Sequence, residues 1–399
     1  MDSLTQIILG AAVGEATLGK KVGNRAMVWG GIAGTIPDLD VLSNLFMEPI
    51  DSLAFHRAIS HSFVFSLICA LLMGWLVRKI YSSSYHKTIG IIAWSLLLGG
   101  IGIAIIFVGS MSLFKIFFGL TWIVGFLYLI YKRYNRKTYM QAEASLKQWQ
   151  WMFFLSLVTH PILDCFTTYG TQFLLPFSDQ RIAFNNIAVA DPAYTLPFMI
   201  CLIIALFLPK SSPKRRFWNN AGLVISSIYM LFTIFNKTRI NTIFENSLHH
   251  DHIEFSRYMT TPTILNNVLW GGIAETDSAF YYGQYSFFDK DKLFKLNRIN
   301  KTDASFENDL KTDTTLKTLS WFSNGYYVIE RQTNDSLIYY DLRFGTFKLS
   351  ENEGEKFVFK FNVLEKPKGT FTLLNQGEGP RDADFGAVFQ VLWKRISGI

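Results

Sequence analysis

The sequence predicts a polytopic α-helical membrane domain over residues 1–236, followed by a soluble, β-rich (α+β) domain over residues 237–399. Three observations carry this expectation. Only 17% of the 399 residues are charged against 50% hydrophobic, and mean hydropathy is +0.21. Asp, Glu, Lys and Arg are absent from Ala58–Val77, Thr88–Phe114, Gln148–Leu163, Pro192–Pro209 and Phe217–Asn236, and crossing a bilayer takes roughly 20 mainly apolar residues. After Lys237 the chain turns polar with strand-like alternation, and a tail of about 150 residues can bury a core of its own.

In chain order, Leu4–Leu18 reads as a Gly/Ala-rich helix, and small residues let helices pack closely in lipid. Ala26–Ile36 is a second short apolar piece, broken by Pro37. A polar connection, Asn44–Phe55, leads to His56-Arg57-Ala58-Ile59-Ser60-His61-Ser62, where Ser60 is a candidate N-cap. Spans are expected over His61–Ile80, Thr88–Val108, Ser112–Tyr131, Trp149–Phe166, Tyr194–Leu208 and Trp218–Phe235. Strands are expected over Tyr326–Arg331, Leu337–Leu342, Lys356–Leu364 and Thr370–Leu374, with Asp341–Gly345 as a strand entering a turn.

The formal net charge of +7 resides largely in short loops between apolar segments. That pattern sets membrane topology, so no nucleic-acid partner is expected and the partner is the lipid bilayer. With Arg78–Lys87, Lys132–Lys147 and Lys210–Arg216 on the cytoplasmic side, Asp38, Asp40, His56, His61 and Asp164 fall towards the opposite face. The C-terminal domain then lies on the extracytoplasmic side. Cys69, Cys165 and Cys201 all lie in apolar segments and offer neither a disulfide framework nor a Cys-x-x-Cys site.

His160 and Asp164 stand four apart in an otherwise apolar stretch. On a helix they share one face, and ionisable groups at membrane depth are costly. A structural hydrogen bond between packed helices would also explain the pair. Asp38 and Asp40 follow a proline break and read either as ligands or as an Asp-rich turn. His56 and His61 are five apart and would diverge on one continuous helix. They converge only if His56 lies on a loop and His61 opens the next helix. Arg57 would hold an anion or pair with Asp51. Together, imidazoles and carboxylates suit a transition metal, which polarises a phosphoryl or carbonyl oxygen and acidifies water. His249-His250-Asp251-His252 is a competing metal tract.

The opening Met1-Asp2-Ser3-Leu4-Thr5-Gln6 with Gly10-Ala11-Ala12-Val13-Gly14, then Pro37-Asp38-Leu39-Asp40, His56-Arg57-x-x-Ser60-His61-Ser62 and His160-Pro161-x-x-Asp164, resembles the YdjM-like family. The resemblance covers roughly residues 1–200. It implies a metal-dependent hydrolase of the bacterial inner membrane, some members being described as LexA-binding. Many members carry Thr-His where this chain has Thr5-Gln6, so one ligand is lost or replaced. A more distant similarity, to zinc-dependent phospholipase C, implies a phosphoester or lipid-related substrate. The expected ligands of one or two divalent ions, zinc first, are Asp38, Asp40, His61, His160 and Asp164, with His56 and Arg57 in catalytic roles. The alternative is a non-catalytic membrane scaffold or regulator whose C-terminal domain binds a partner.

Overall fold

The computed structural model describes residues 1–107, 112–135, 144–332, 335–347, 356–366, 369–375 and 385–398. Val108, the expected end of a span, and the loop residues Arg136 and Lys137 lie outside them.

Helix α1 (Ser3–Gly14) starts on Asp2, whose carboxylate accepts the Thr5 N–H at 3.0 Å. It continues through a π turn (Glu15–Gly19) into one short turn, α2 (Lys20–Val22), and the chain returns as α3 (Asn24–Thr35). Glycines let α1 and α3 touch: a Cβ on Gly10 would stand 2.3 Å from the Gly30 carbonyl oxygen, and one on Gly34 2.4 Å from that of Gln6. A 3₁₀ segment (Pro37–Leu45), α4 (Pro49–Phe55) and a second 3₁₀ turn (Ile59–His61) follow.

Helix α5 (Phe63–Ser82) is capped by Ser62, which accepts from Phe65 N–H at 3.0 Å, so the cap is Ser62 and not the expected Ser60. Ser60 is drawn away to Asp40. Helices α6 (His86–Phe107) and α7 (Leu113–Tyr134) pack on each other and leave large apolar side chains exposed. Helix α8 (Leu146–Asp164) opens with a capping box of Ser145 and Gln148 and runs through Pro161. It is enclosed by α1, α3 and α5, with Trp149, Met152, Phe153 and Leu157 fully buried.

Helix α9 (Pro192–Phe207) has 16 residues and starts on Asp191. Helix α10 (Pro213–His250) contains the span expected over Trp218–Phe235 but continues without a break for 38 residues, or about 57 Å at 1.5 Å per residue. Among the described residues, α5, α6, α7 and α10 are long and apolar enough to cross a membrane.

The C-terminal half holds two four-stranded antiparallel meanders. The first is β1 (Arg257–Pro262), β2 (Leu269–Glu275), β3 (Ala279–Ser286) and β4 (Lys295–Asn300); sequence reasoning placed no strand there. The second follows α11 (Glu307–Thr312) and α12 (Thr314–Phe322), and comprises β5 (Tyr327–Arg331), β6 (Ser336–Phe347), β7 (Lys356–Lys366) and β8 (Thr370–Asn375). Where a turn was expected at Asp341–Gly345, β6 instead runs on through a bulge, its pairing with β7 shifting between Asp341 and Thr346. The last helix is α13 (Phe385–Ile396).

One face of the first sheet packs Trp270, Ala274 and Tyr285 on Ile240, Phe244 and Leu248 of α10. Its other face meets the second sheet through Ile273, Phe280, Val328 and Leu342. The far face of the second sheet packs on α12, and Leu53 of α4 and Tyr169 join that core. The β-rich half is thereby seated on α4 and the loop after α8.

Candidate metal centre

Both termini of the bundle helices are marked by polar contacts. At one end, Lys210 Nζ reaches the Lys21 carbonyl (3.3 Å), Lys21 Nζ reaches Gln148 (3.1 Å), and Arg25 stacks over Tyr81. The start of α1, the end of α3 and the end of α8 meet at the other. That end holds Asp38, Asp40 and Asp164, His56, His61 and His160, Arg57, and the N-terminal ammonium of Met1, which bonds Asp164.

Asp38 lies in the first turn of the segment Pro37–Leu45, His61 closes the turn Ile59–His61, and His160 and Asp164 stand one turn apart at the end of α8. The structure brings these four together. The two imidazole Nε2 atoms face each other at 3.1 Å. Asp38 Oδ1 lies 3.5 Å from His61 Nε2 and 3.3 Å from His160 Nε2. Asp164 Oδ2 lies 3.4 and 3.5 Å from the same atoms. Donors about 2.0–2.1 Å from a tetrahedral ion stand about 3.3 Å apart, so these separations fit one ion.

Proton placement points the same way. His160 Nδ1 lies 2.6 Å from the Gly34 carbonyl oxygen, which can only accept, so Nδ1 carries the hydrogen. His61 Nδ1 faces Asp40 Oδ2 at 3.2 Å and Ser60 Oγ at 3.0 Å, while Ser60 donates to Asp40. Were both rings neutral, their Nε2 lone pairs would confront each other at 3.1 Å, an arrangement that a proton or a metal cation between them relieves. Asp164 Oδ2 is fully buried and has no hydrogen-bond partner among the described residues. The cluster could hold a metal ion.

Positive charge already stands against the carboxylates. Arg57 Nε lies 3.3 Å from Asp164 Oδ2, and the N-terminal ammonium of Met1 bonds Asp164 Oδ1. Burial opposes a charged His61, yet hydrogen bonds with Asp164, Asp38 and Asp40 prevail and push its pKa up to about 10. Burial likewise opposes ionisation of Asp38 and Asp40, but their histidine partners hold both carboxyls well below the ordinary range.

The remaining predicted residues sit around this quartet. Asp40 lies behind His61: its Oδ2 takes the Arg57 N–H (3.0 Å), Ser60 and His61, and its Oδ1 takes His56 Nδ1 at 2.9 Å. His56 ends α4 as its C-cap, packs against the His61 ring (centroids 6.0 Å apart) and is 31% exposed. Arg57 adopts a left-handed backbone (φ 60°), unusual for a non-glycine residue. It turns to Asp164, Thr167 (2.9 Å) and the Tyr169 ring, and not to Asp51 as an acidic partner. Gln6 donates to Asp164 Oδ1 at 3.0 Å and to the His160 carbonyl at 3.3 Å, so the amide supports a ligand at the place where a histidine was missed.

Sequence reasoning gave no role to Tyr169 or Arg181. Tyr169 lies between His56 (5.1 Å) and Phe322 (5.0 Å), and Arg181 stacks on Tyr169, Trp321 and Phe322. A lone arginine in a polar loop offered no signal for this. The tract His249–His252 is exposed at His250, which bonds Asp251 at 2.8 Å. It forms no metal-like group among the described residues.

The family model described as "YdjM inner membrane protein" matches residues 1–240, and the chain belongs to that family. It is 27% identical over 188 residues to the Bacillus subtilis (strain 168) protein described as "Uncharacterized protein YfhP". That match takes in 47% of this chain and 54% of the relative, so the chain spans about half the length of the curated relative it matches. No solved structure matches. With four helices long enough to cross a bilayer, the chain is a multi-pass inner membrane protein.

Proposed function

We propose that this protein is a membrane-bound, metal-dependent hydrolase acting on a phosphoester, with zinc as its ion. The observation that carries the reading is the pair of Nε2 atoms 3.1 Å apart, each ring donating through its other nitrogen. Asp38, His61, His160 and Asp164 would hold the ion. When bound, it would supply Lewis-acid polarisation of a phosphoryl oxygen and acidify water.

The chain's own residues supply the rest. Asp40 fixes the tautomer of His61 and holds His56 Nδ1, leaving the half-buried His56 Nε2 to accept or return a proton. Arg57 orients Asp164 and adds positive charge where an anionic group would sit. Asp38 is the accessible member of the quartet, its side chain 21% exposed, so substrate would approach on its side. Basic loops at the opposite bundle end favour an extracytoplasmic site and C-terminal domain. Cysteine labelling tests that orientation, after replacing the native Cys69, Cys165 and Cys201. An impermeant reagent applied to intact cells should modify a cysteine at Ser305 and spare one at Ser212.

A second reading follows from ligand number. Four protein donors fill a tetrahedron, and closed sites are usually structural. The ion would then pin α8 to the segments before α5 in a non-catalytic scaffold. Phosphatase assays on zinc-loaded protein decide between them. His56→Ala should lower turnover of a phosphodiester at least tenfold while retaining the ion. Zinc-loaded wild type that hydrolyses none of a panel of phosphomonoesters, diesters and phospholipids would leave the scaffold reading.

A further inference from the structure

The quartet is shut on most sides. His61, His160 and Asp164 side chains are at most 1% exposed, and Asp38 is the one that reaches the surface. From above, helix α12, backed by the second sheet, closes the approach: Tyr169 lies against His56, Phe322 of α12 against Tyr169, and Leu53 of α4 is buried in the same core. The remaining approach passes the segment that carries Asp38. Beside the buried Asp40 and Ser43 and the exposed Asn44, it carries outward apolar side chains: Leu39, Leu42, Leu45 and the following Phe46 are exposed by 56, 51, 81 and 76%. On the adjoining helix, Ser3 bonds Asp38 at 3.2 Å and its neighbour Leu4 is 50% exposed.

A water-facing loop does not ordinarily carry such a row, and the bilayer is at hand to cover it. Helix α5, long and apolar enough to cross a membrane, rises about 30 Å over its 20 residues, close to the roughly 30 Å of bilayer hydrocarbon. His61, just before its start, therefore lies near one membrane surface. The lipid-facing helix α5 begins two residues after His61, with Phe63 already 41% exposed. The row is thus continuous with the spans of an inner membrane protein.

We propose that the substrate is a membrane amphiphile entering sideways from the bilayer. Its hydrocarbon rests against Leu39, Leu42, Leu45 and Phe46, and its phosphoester head meets the quartet at Asp38. This rests on the phosphoester reading above and adds the substrate class and its route.

Two measurements on the full chain in phosphatidylethanolamine–phosphatidylglycerol nanodiscs test it. The first places the photo-crosslinker p-benzoylphenylalanine at Leu42 or Leu45, with Leu374 of β8 as control. Mass spectrometry should find phospholipid adducts at the first two positions and none at the third. Absence of lipid adducts at 42 and 45, or adducts to a protein instead, would overturn the bilayer seating. The second compares hexadecylphosphonate with methylphosphonate on zinc-loaded protein, subtracting uptake by His160→Ala. The long chain should bind at least tenfold tighter. Leu39→Ser/Leu42→Ser/Leu45→Ser should erase most of that ratio and leave methylphosphonate binding unchanged. Equal binding of the two phosphonates would overturn the amphiphile assignment, whereas lipid adducts with neither phosphonate bound would overturn the phosphoester reading beneath it.

Discussion

The two ends of the helical bundle both bury charge, and they do so in opposite ways. At the basic end, Arg215 Nε donates to Glu15 at 2.6 Å and its Nη2 reaches the other carboxylate oxygen at 2.5 Å. Its Nη1 binds Asn24 (2.6 Å) and the Leu208 carbonyl (2.9 Å). One cation meets one anion, and the donors are used. At the other end Asp38, Asp40 and Asp164 gather round Arg57, the Met1 ammonium and two imidazoles whose Nε2 atoms face each other at 3.1 Å. The first arrangement is complete as it stands, whereas the second gathers four ligand-type donors within reach of one ion and leaves Asp164 Oδ2 without a hydrogen-bond partner among the described residues. A buried pair that closes on itself reads as architecture, and a buried cluster of convergent donors reads as a site for a ligand.

The largest expected effect would break this contrast outright. Purified protein should carry roughly one transition-metal ion per chain. His160→Ala and Asp164→Ala should each abolish it, while Glu15→Gln leaves it unchanged. Elemental analysis of the three variants against wild type checks this, and full metal content in both site variants would refute the assignment. Removing the ion should also expose a pH dependence. A group whose pKa rises from the usual 6.5 to about 10 on folding gives stability that is full below 6.5 and lost as pH climbs through 10. Chelated protein should therefore melt progressively lower across that window, and zinc-loaded protein should show a flatter profile.

At the basic end the expected effect is on stability alone. Glu15→Gln strands a buried guanidinium, which typically costs about 3–5 kcal/mol. Denaturant unfolding in detergent should show this loss, and Glu15→Met/Arg215→Met should recover much of it. A Glu15→Gln protein as stable as wild type would mean that the pair is hydrated. The smallest effect belongs to Asp40→Asn. This substitution leaves the four donors in place but weakens the hold on His61 Nδ1. Metal affinity should fall by about 10–100-fold, read by competition with a chromogenic chelator, whereas a complete loss would make Asp40 a ligand itself.

The contrast was only half legible in the sequence. Carboxylates and histidines in apolar surroundings stand out, so the six members of the site cluster were visible as residues. Their division of labour was not. Asp38 and Asp40 differ by two positions on a 3₁₀ segment, and only its path sends one to the quartet and the other behind His61. His56 and His61 converge because Arg57 reverses the backbone between them, which residue type did not announce. Gln6 was noticed as a departure, but its role depends on α1 lying against the end of α8. In the β-rich half, strands with alternating faces were found, while β2 escaped because six of its seven residues are buried on both faces and two are glycines. Strand β4, mostly exposed and polar, gave no apolar face to detect.

Helix α10 leaves the basic end, crosses the bilayer and ends beneath the first sheet in one unbroken rod of 38 residues. Such a rod is a lever. With its foot fixed beside Glu15, a tilt of about 10° moves the tip of a rod about 57 Å long by roughly 10 Å. The first sheet rides on that tip, and the second, packed on its far face, backs helix α12, whose Phe322 covers His56 through Tyr169. Tilting is one response of a helix to hydrophobic mismatch, and any tilt of this one would be carried to the cover over His56.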